Sequence, residues 1–228
     1  MDRIVLTFFF GIISVSSFSQ SEINQTDVNG KRHGLWKKFY DGSQQLRYEG
    51  NFEHGKEIGE FKFYCEDCKD KPSVIKKFIG KDDLAEVKYL TKKGKTISEG
   101  KMKGHDRIGE WIIYHEKSQL PMSLENYSNG KLEGKKITYY PNGKITEEIE
   151  YKNGLKEGEN NYYSPSGILI KKLQYKADEL QGPAMYYDGH GNVTIEGFYK
   201  NDKKHGLWKY YQDGNVVLEE TYPRKYDK

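Results

Sequence analysis

Three things are scarce in this chain of 228 residues, and each scarcity excludes something. Aliphatic bulk is the first: hydrophobic residues make up 35% and charged residues 31%, too little apolar mass for an ordinary thick core. Charge of one sign is the second. The 37 basic and 34 acidic residues are interspersed and leave a net charge of +3, with no basic block. Nucleic-acid binding needs such a stripe, so no nucleic-acid partner is expected. Reactive chemistry is the third. Cysteine occurs only at Cys65 and Cys68, and there is no Gly-x-Ser-x-Gly elbow, His-Glu-x-x-His pair or phosphate-cradling glycine loop. Sustained helical periodicity is missing as well.

What the chain has in quantity is rings and turns: 19 Tyr, 10 Phe, 3 Trp and 24 Gly, against only 6 Pro. A disordered chain would lack the aromatics. Glycine serves wherever the backbone must take a positive φ. Together they describe a β-protein of short strands.

Residues 1–19 differ from the rest. Arg3 precedes an apolar run from Ile4 to Val15, and Ser17-Phe18-Ser19 offers small residues at both positions read by a signal peptidase. The pattern is that of a secretory signal peptide cut between Ser19 and Gln20. A retained membrane anchor is the alternative, but the run falls short of the roughly 20 residues a span needs. An exported, soluble mature chain is expected, in the periplasm, the cell envelope or the medium.

The remainder repeats itself, and self-similarity has to be settled first. Gly34, Gly59, Gly109, Gly134, Gly158, Gly182 and Gly206 recur at steps of 25, 50, 25, 24, 24 and 24, with Leu84 at the missing position. Five residues after each stands a ring: Phe39, Tyr64, Tyr89, Tyr114, Tyr139, Tyr163, Tyr187 and Tyr211. Eight phases with eight aromatics cannot come from 14% aromatic content by chance. Each unit reads as a β-hairpin. Its first half is strand-like, as in Glu110-Trp111-Ile112-Ile113-Tyr114. A turn follows at Asp41-Gly42, Asn142-Gly143, Ser166-Gly167, Gly191-Asn192 or Asp213-Gly214. The second half alternates, with Ile145, Glu147, Ile149 and Tyr151 on one face. A second turn (Asn129-Gly130, Asn153-Gly154, His54-Gly55) leads to the next unit.

The expected architecture is all-β: an elongated, twisted antiparallel sheet of eight tandem hairpins, about 75 Å long at about 4.8 Å per strand. A lead-in spans residues 20–33, the array 34–222 and a polar tail 223–228. The eight rings are expected as a structural ladder along one face, each cross-strand pair contributing about 0.2–1 kcal/mol.

Gly206-Leu207-Trp208-Lys209-Tyr210-Tyr211 and Tyr151-Lys152-Asn153-Gly154-Leu155-Lys156-Glu157-Gly158 resemble the MORN repeat in its bacterial variant form, and the resemblance runs from residue 29 to about 222. The chain is similar, more narrowly, to YwqK-type antitoxin components. That resemblance implies an interaction array that neutralises a partner. MORN arrays in general imply scaffolding, in some cases with phospholipid binding. Unit three departs from the pattern in lacking its leading Gly, and unit one carries Phe39 in place of Tyr.

No catalytic, metal-binding or cofactor site emerges. In an exported chain Cys65 and Cys68 are expected as a local disulfide. A redox site is disfavoured because Glu66 and Asp67 raise rather than lower a thiol pKa, and two cysteines make half a zinc site. Of His33, His54, His105, His115, His190 and His205, four directly precede Gly, so the repeat accounts for most of them. The expectation is a non-enzymatic, protein-binding array, an antitoxin or immunity partner of a neighbouring toxin. An envelope scaffold contacting lipid or glycan is the alternative, and an extracellular hydrolase a remote third.

Overall fold

The computed structural model describes residues 22–80 and 82–224, so the signal-peptide reading, its cleavage point and most of the polar tail lie outside the described residues. Among the described residues the chain is all strand and turn, a single open antiparallel sheet in which each strand pairs with the next along the chain. Eight hairpins account for sixteen strands. The structure has nineteen, because Gln25–Thr26 adds one before the array, and Lys131–Leu132 and Glu179–Leu180 are split from the strands that follow them.

Two register shifts recur in the units. The first lies where one unit joins the next. Lys101 pairs with Ile108 but Gly100 pairs with Trp111, so the strand Asp106–Tyr114 carries two extra residues at that point. The same shift of two falls between Glu49/Asn51, Ile149/Tyr151 and Glu196/Phe198. An even shift keeps side chains on their faces, whereas a shift of one would exchange them. The leading glycine occupies this bulge. Gly109 adopts φ +61°, a left-handed conformation that a residue with a Cβ takes only at a cost. The leading glycines are therefore bulge residues inside or beside strands.

The second shift, of one residue, falls in the hairpin's first strand near its turn, for instance between Thr138/Tyr139 and Tyr162/Tyr163. It changes the turn as well. Around Asn142-Gly143 only Gly143 has positive φ, and the loop closes through Tyr140 N–H to Lys144 O (2.8 Å) and Gly143 N–H to Tyr140 O (2.9 Å). That is a type I turn with a glycine bulge, which absorbs the extra residue. True two-residue turns with both centres at positive φ stand mainly between units: His54-Gly55 (49°, 84°), Asn129-Gly130 (48°, 76°) and Asn153-Gly154 (53°, 87°). Asp213-Gly214 (52°, 78°) is the exception within a unit.

The core is one side-chain layer deep and lies on one face, here the ring face. Its largest fully buried side chains are Phe61, Trp111 and Trp208. Each stands two residues after a leading glycine and eleven after a glycine of the preceding strand. A Cβ added at Gly100 would sit 2.5 Å from Trp111, and Gly50 and Gly197 face Phe61 and Trp208 as closely. Elsewhere the same cross-strand pair trades volume. Small Ala184 (1% exposed) stands eleven residues after Leu173 (5%), and Asn160 (0%) lies opposite Ile149 (2%). Around the cluster of Leu173, Ala184 and Trp208, the side chains of Tyr162, Tyr175, Tyr186, Tyr199, Tyr210 and Tyr222 complete the layer.

Cations roof the tryptophans. Arg32 lies 4.8 Å from the centroid of Trp36, Arg107 4.2 Å from Trp111 and Lys204 4.3 Å from Trp208, each two residues before the leading glycine. Such contacts contribute about 0.5–2 kcal/mol, more when dry. The indole N–H groups bond to backbone carbonyls near the bulge: Trp111 to Lys101 O at 3.0 Å and Trp208 to Phe198 O at 3.2 Å. Neighbouring units are stitched by side chains that reach the carbonyl of the next unit's ring residue. Tyr40 donates to Tyr64 O (2.7 Å), Tyr140 to Tyr163 O (2.9 Å) and His115 Nε2 to Tyr139 O (3.0 Å).

Candidate functional site: the charged face

The opposite face carries the most regular chemistry in the molecule. Glu49, Glu99, Glu148 and Glu196 each accept a bond from the tyrosine fifteen residues later. Tyr64 Oη reaches Glu49 at 2.8 Å, Tyr163 reaches Glu148 at 2.9 Å and Tyr211 reaches Glu196 at 2.6 Å, and Tyr114 is bonded to Glu99 in the same way. A lysine completes each group: Lys37 at 3.3 Å from Glu49, Lys88 at 2.7 Å from Glu99, Lys135 at 3.9 Å from Glu148 and Lys209 at 3.9 Å from Glu196. These Lys–Glu–Tyr stations recur every second unit, four strands apart, which is about 19 Å along the sheet.

Period and pleat together explain the placement. The fifth-position tyrosine stands three residues after the buried second-position side chain, an odd step that puts it on the opposite face, and its phenol then reaches the glutamate of the preceding unit. Leu124 and Lys172 hold the positions fifteen residues before Tyr139 and Tyr187, so those units lack a station. The stations alter the acidity of their members. The Lys88 ammonium and then the Tyr114 hydroxyl hold Glu99 below its usual range. Burial alone would raise Glu49, but bonds from Tyr64 and Lys37 outweigh it and lower it. Burial first, and then the bond to the glutamate, pushes Tyr64, Tyr114 and Tyr163 up to about 12.

Between the first strands of units three and four this face opens into a cleft of about 520 Å³, lined by Glu86, Lys88, Glu99, Lys101 and Glu110. It is a shallow trough of mixed charge, suited to side chains of a partner rather than to an enclosed small molecule.

The eight rings read from the sequence do not all share this face. Tyr64 is buried, Tyr114, Tyr163 and Tyr211 are half-buried in stations, and Tyr187 contacts Met185, which stands opposite Glu196. Tyr139 is half-buried near Glu148, and Phe39 is exposed at 44%. Tyr89 belongs to the ring face, packed 6.0 Å from Trp111 with its hydroxyl on Met102. The reason is that unit three is offset by one residue: its one-residue shift falls between Tyr89 and Leu90 where unit four has it between Ile113 and Tyr114, so Tyr89 corresponds to Ile113, and Val87 to Trp111, which lies on the ring face.

Cys65 and Cys68 form a disulfide with Cα atoms 5.0 Å apart, in the hairpin loop of unit two, and that loop is tied to the loops of units one and three. Gln45 bonds that loop through Lys69 O (2.9 Å), and Lys71 reaches Lys93 O (3.0 Å). The histidines are scattered. His54 bonds Asp27 at 2.7 Å, and that contact first, then the Lys31 backbone bond, hold Asp27 down at about 2. Among the described residues, the one trio of ligand-type side chains that converges is Cys65, Asp67 and Cys68, whose sulfurs are bonded to each other.

The stations were within reach of sequence reading. Glu-Gly stands at 49–50, 99–100 and 196–197, and each time a large ring follows eleven residues after the Gly and a tyrosine fifteen after the Glu.

No curated protein sequence matches the chain. Among solved structures the chain aligns with an alternansucrase in complex with isomaltononaose at 16% identity and a TM-score of 0.20. That match covers 84% of this chain but 15% of the alternansucrase, and at such a score it carries no weight here. Residues 132–153 and 156–177, the fifth and sixth units, each match the MORN repeat variant family.

Proposed function

We propose that this chain is a repeat-built binding protein without catalytic chemistry, and that the charged face is where it takes hold of another protein. The observation that carries the reading is the row of four Lys–Glu–Tyr stations at two-unit intervals. Such a row offers both signs of charge and a rigid phenol at each step, over a long surface. A solenoid-like array presents that kind of extended surface to a large partner, and complementary charge fixes register and partner choice. In an exported chain, a toxin or effector encoded beside it is the partner we favour, with neutralisation as the role.

Contact with a lipid or glycan surface draws less support. Arg107, Lys156, Lys171 and Lys204 lie over Trp111, Tyr175, Tyr162 and Trp208, so the ring faces that would stack on sugars are taken.

Co-expression with the products of the two flanking genes, followed by size-exclusion chromatography and mass measurement, tests the proposal. A stoichiometric complex weakened by Lys88→Glu supports it. Absence of any complex, together with binding to vesicles or peptidoglycan at physiological salt, refutes it.

A further inference from the structure

The roof over the ring face changes sign in one stretch. Four residues before the core side chain, four units carry a cation (Arg32, Arg107, Lys156 and Lys204) and two carry leucine. Units two and three carry Glu57 and Asp83 instead. The backbone confirms that Asp83 holds the same place. Gly104 N–H bonds Asp83 O at 3.0 Å, as Gly55 N–H bonds Arg32 O at 2.8 Å and Gly130 N–H bonds Arg107 O at 3.0 Å.

Phe61 feels the difference. It packs edge-on against Phe52 and Phe78, with centroids 5.2 and 5.8 Å away. Arg32 lies over Phe52 and Lys76 over Phe63, but among the described residues no cation lies over Phe61 or Phe78. A carboxylate is the wrong sign for the negative face of a ring. Between Glu57 and Asp83 the face opens into a groove of about 440 Å³, with Phe52, Phe78, Ala85 and Met102 along its floor. Lys56, Lys76 and His105 also border it, yet among the described residues neither carboxylate has an ion-pair partner. Partial loss of water lifts the Glu57 carboxyl above its usual range, and the more distant Lys76 and Arg32 do not offset it.

We infer that this groove receives an arginine side chain from a partner protein, with its guanidinium over the phenylalanine cluster between Glu57 and Asp83. The occupant repeats what the chain does for itself at Trp36 and Trp111, where Arg32 and Arg107 stand 4.8 and 4.2 Å from the ring centroids. The two acids lie two strands apart, about 10 Å at the backbone, a gap that one guanidinium with a carboxylate on either side spans. Lysine fits less well, because its ammonium is a point charge, whereas the planar fork stacks on a ring and serves two carboxylates at once. The groove is on the ring face, so this contact is separate from the charged face and stands without it.

Amide NMR titration of the full chain with the peptide acetyl-Gly-Arg-Gly amide tests the inference. Shifts should saturate in the millimolar range and centre on Glu57, Phe78 and Asp83. The same peptide with citrulline, isosteric but uncharged, should bind at least about fivefold more weakly. Glu57→Arg, which supplies the cation from within the chain, should abolish the shifts while the rest of the spectrum stays that of the folded sheet. Glu179→Gln, which removes an exposed acid far along the array, should leave them unchanged. No localised shift up to about 100 mM peptide overturns the inference. Equal binding of the citrulline peptide, or shifts that survive Glu57→Arg, overturn it as well. Free arginine binding more than about tenfold tighter than the peptide would make the groove a small-molecule site and so overturn the partner. Binding that appears only with Lys81→Met would mean that the chain fills the groove itself, which also overturns it.

Discussion

If the core is built from cross-strand pairs that trade volume, exchanging the two sizes within one pair should be tolerated where each single change is not. The pair Gly100–Trp111 makes the sharpest test. Trp111 is fully buried, its indole N–H bonds Lys101 O at 3.0 Å, and Arg107 roofs it at 4.2 Å. Trp111→Ala should cost about 3–5 kcal/mol, the range for emptying a large buried ring. Gly100→Leu should cost about 1–3 kcal/mol or more. Its Cβ would stand 2.5 Å from Trp111 Cδ2 and 2.6 Å from Cε2, where carbon atoms rest about 3.5–4.0 Å apart. If the two changes were independent, the double variant would lose about 4–8 kcal/mol. The pair it creates, leucine facing alanine, already exists in this chain at Leu173 and Ala184. The double variant should therefore lose only about 2 kcal/mol, a favourable coupling of at least about 2 kcal/mol. Urea unfolding followed by circular dichroism measures the totals. Hydrogen exchange in the strands Thr96–Lys103 and Asp106–Tyr114 supplies the local value, since a repeat array need not unfold in one step. Additive losses would refute the pairing principle.

Raising the pH should destabilise the fold between pH 10 and about 12. Unfolded tyrosines ionise near 10, whereas Tyr64, Tyr114 and Tyr163 keep their protons to about 12, so the stability present below pH 10 is lost across that window. Urea midpoints taken with phenolate absorbance would show it, and a flat profile would contradict the stations. Lys136→Ala should cost about 3–5 kcal/mol by stranding Glu125, which is 5% exposed and pairs with Lys136 at 2.9 Å. Replacing both, as Glu125→Leu with Lys136→Ala, should return most of that in the same unfolding assay. Replacing both cysteines by serine should lower stability by no more than about 2 kcal/mol, since the bridge closes a very short loop. A larger loss in thermal unfolding would mean that the loop carries more of the fold than its hydrogen bonds imply.

The period, the all-β class and the hairpin unit were legible because turn chemistry and the fifth-position ring keep their identity from unit to unit. The core was not, although its side chains are larger. At the core position the eight units carry Trp36, Phe61, Val87, Trp111, Lys136, Asn160, Ala184 and Trp208, with Val87 one place later than the others, and no residue-by-residue comparison finds a rule in that set. What recurs is the fit to a partner eleven residues earlier: a ring to glycine, alanine to leucine, lysine to glutamate. Tyr89 escaped for a related reason. Its spacing from Leu84 matches the other units, but the strand of unit three is offset by one residue in register, and one residue decides the face.

Pairwise fitting also decides where the array is weakest. In a stack of repeats, stability is close to a sum of unit and neighbour contributions. Rings fill the pairs at Phe61 and Trp111 on one side and at Trp208 on the other, while between them the pairs are Glu125–Lys136, Ile149–Asn160 and Leu173–Ala184, the first two with a polar member. Asn160 is wholly buried; its Nδ2 reaches Glu147 at 2.8 Å, but its Oδ1 finds no partner, a deficit of about 1–3 kcal/mol. A buried ion pair likewise adds little once desolvation is counted. Local opening should therefore begin in the fifth and sixth units rather than at the ring-filled ends. The stations at Glu99 and Glu148 bracket the Glu125–Lys136 pair on the opposite face. A partner gripping both would brace the sheet where its core is least able to do so.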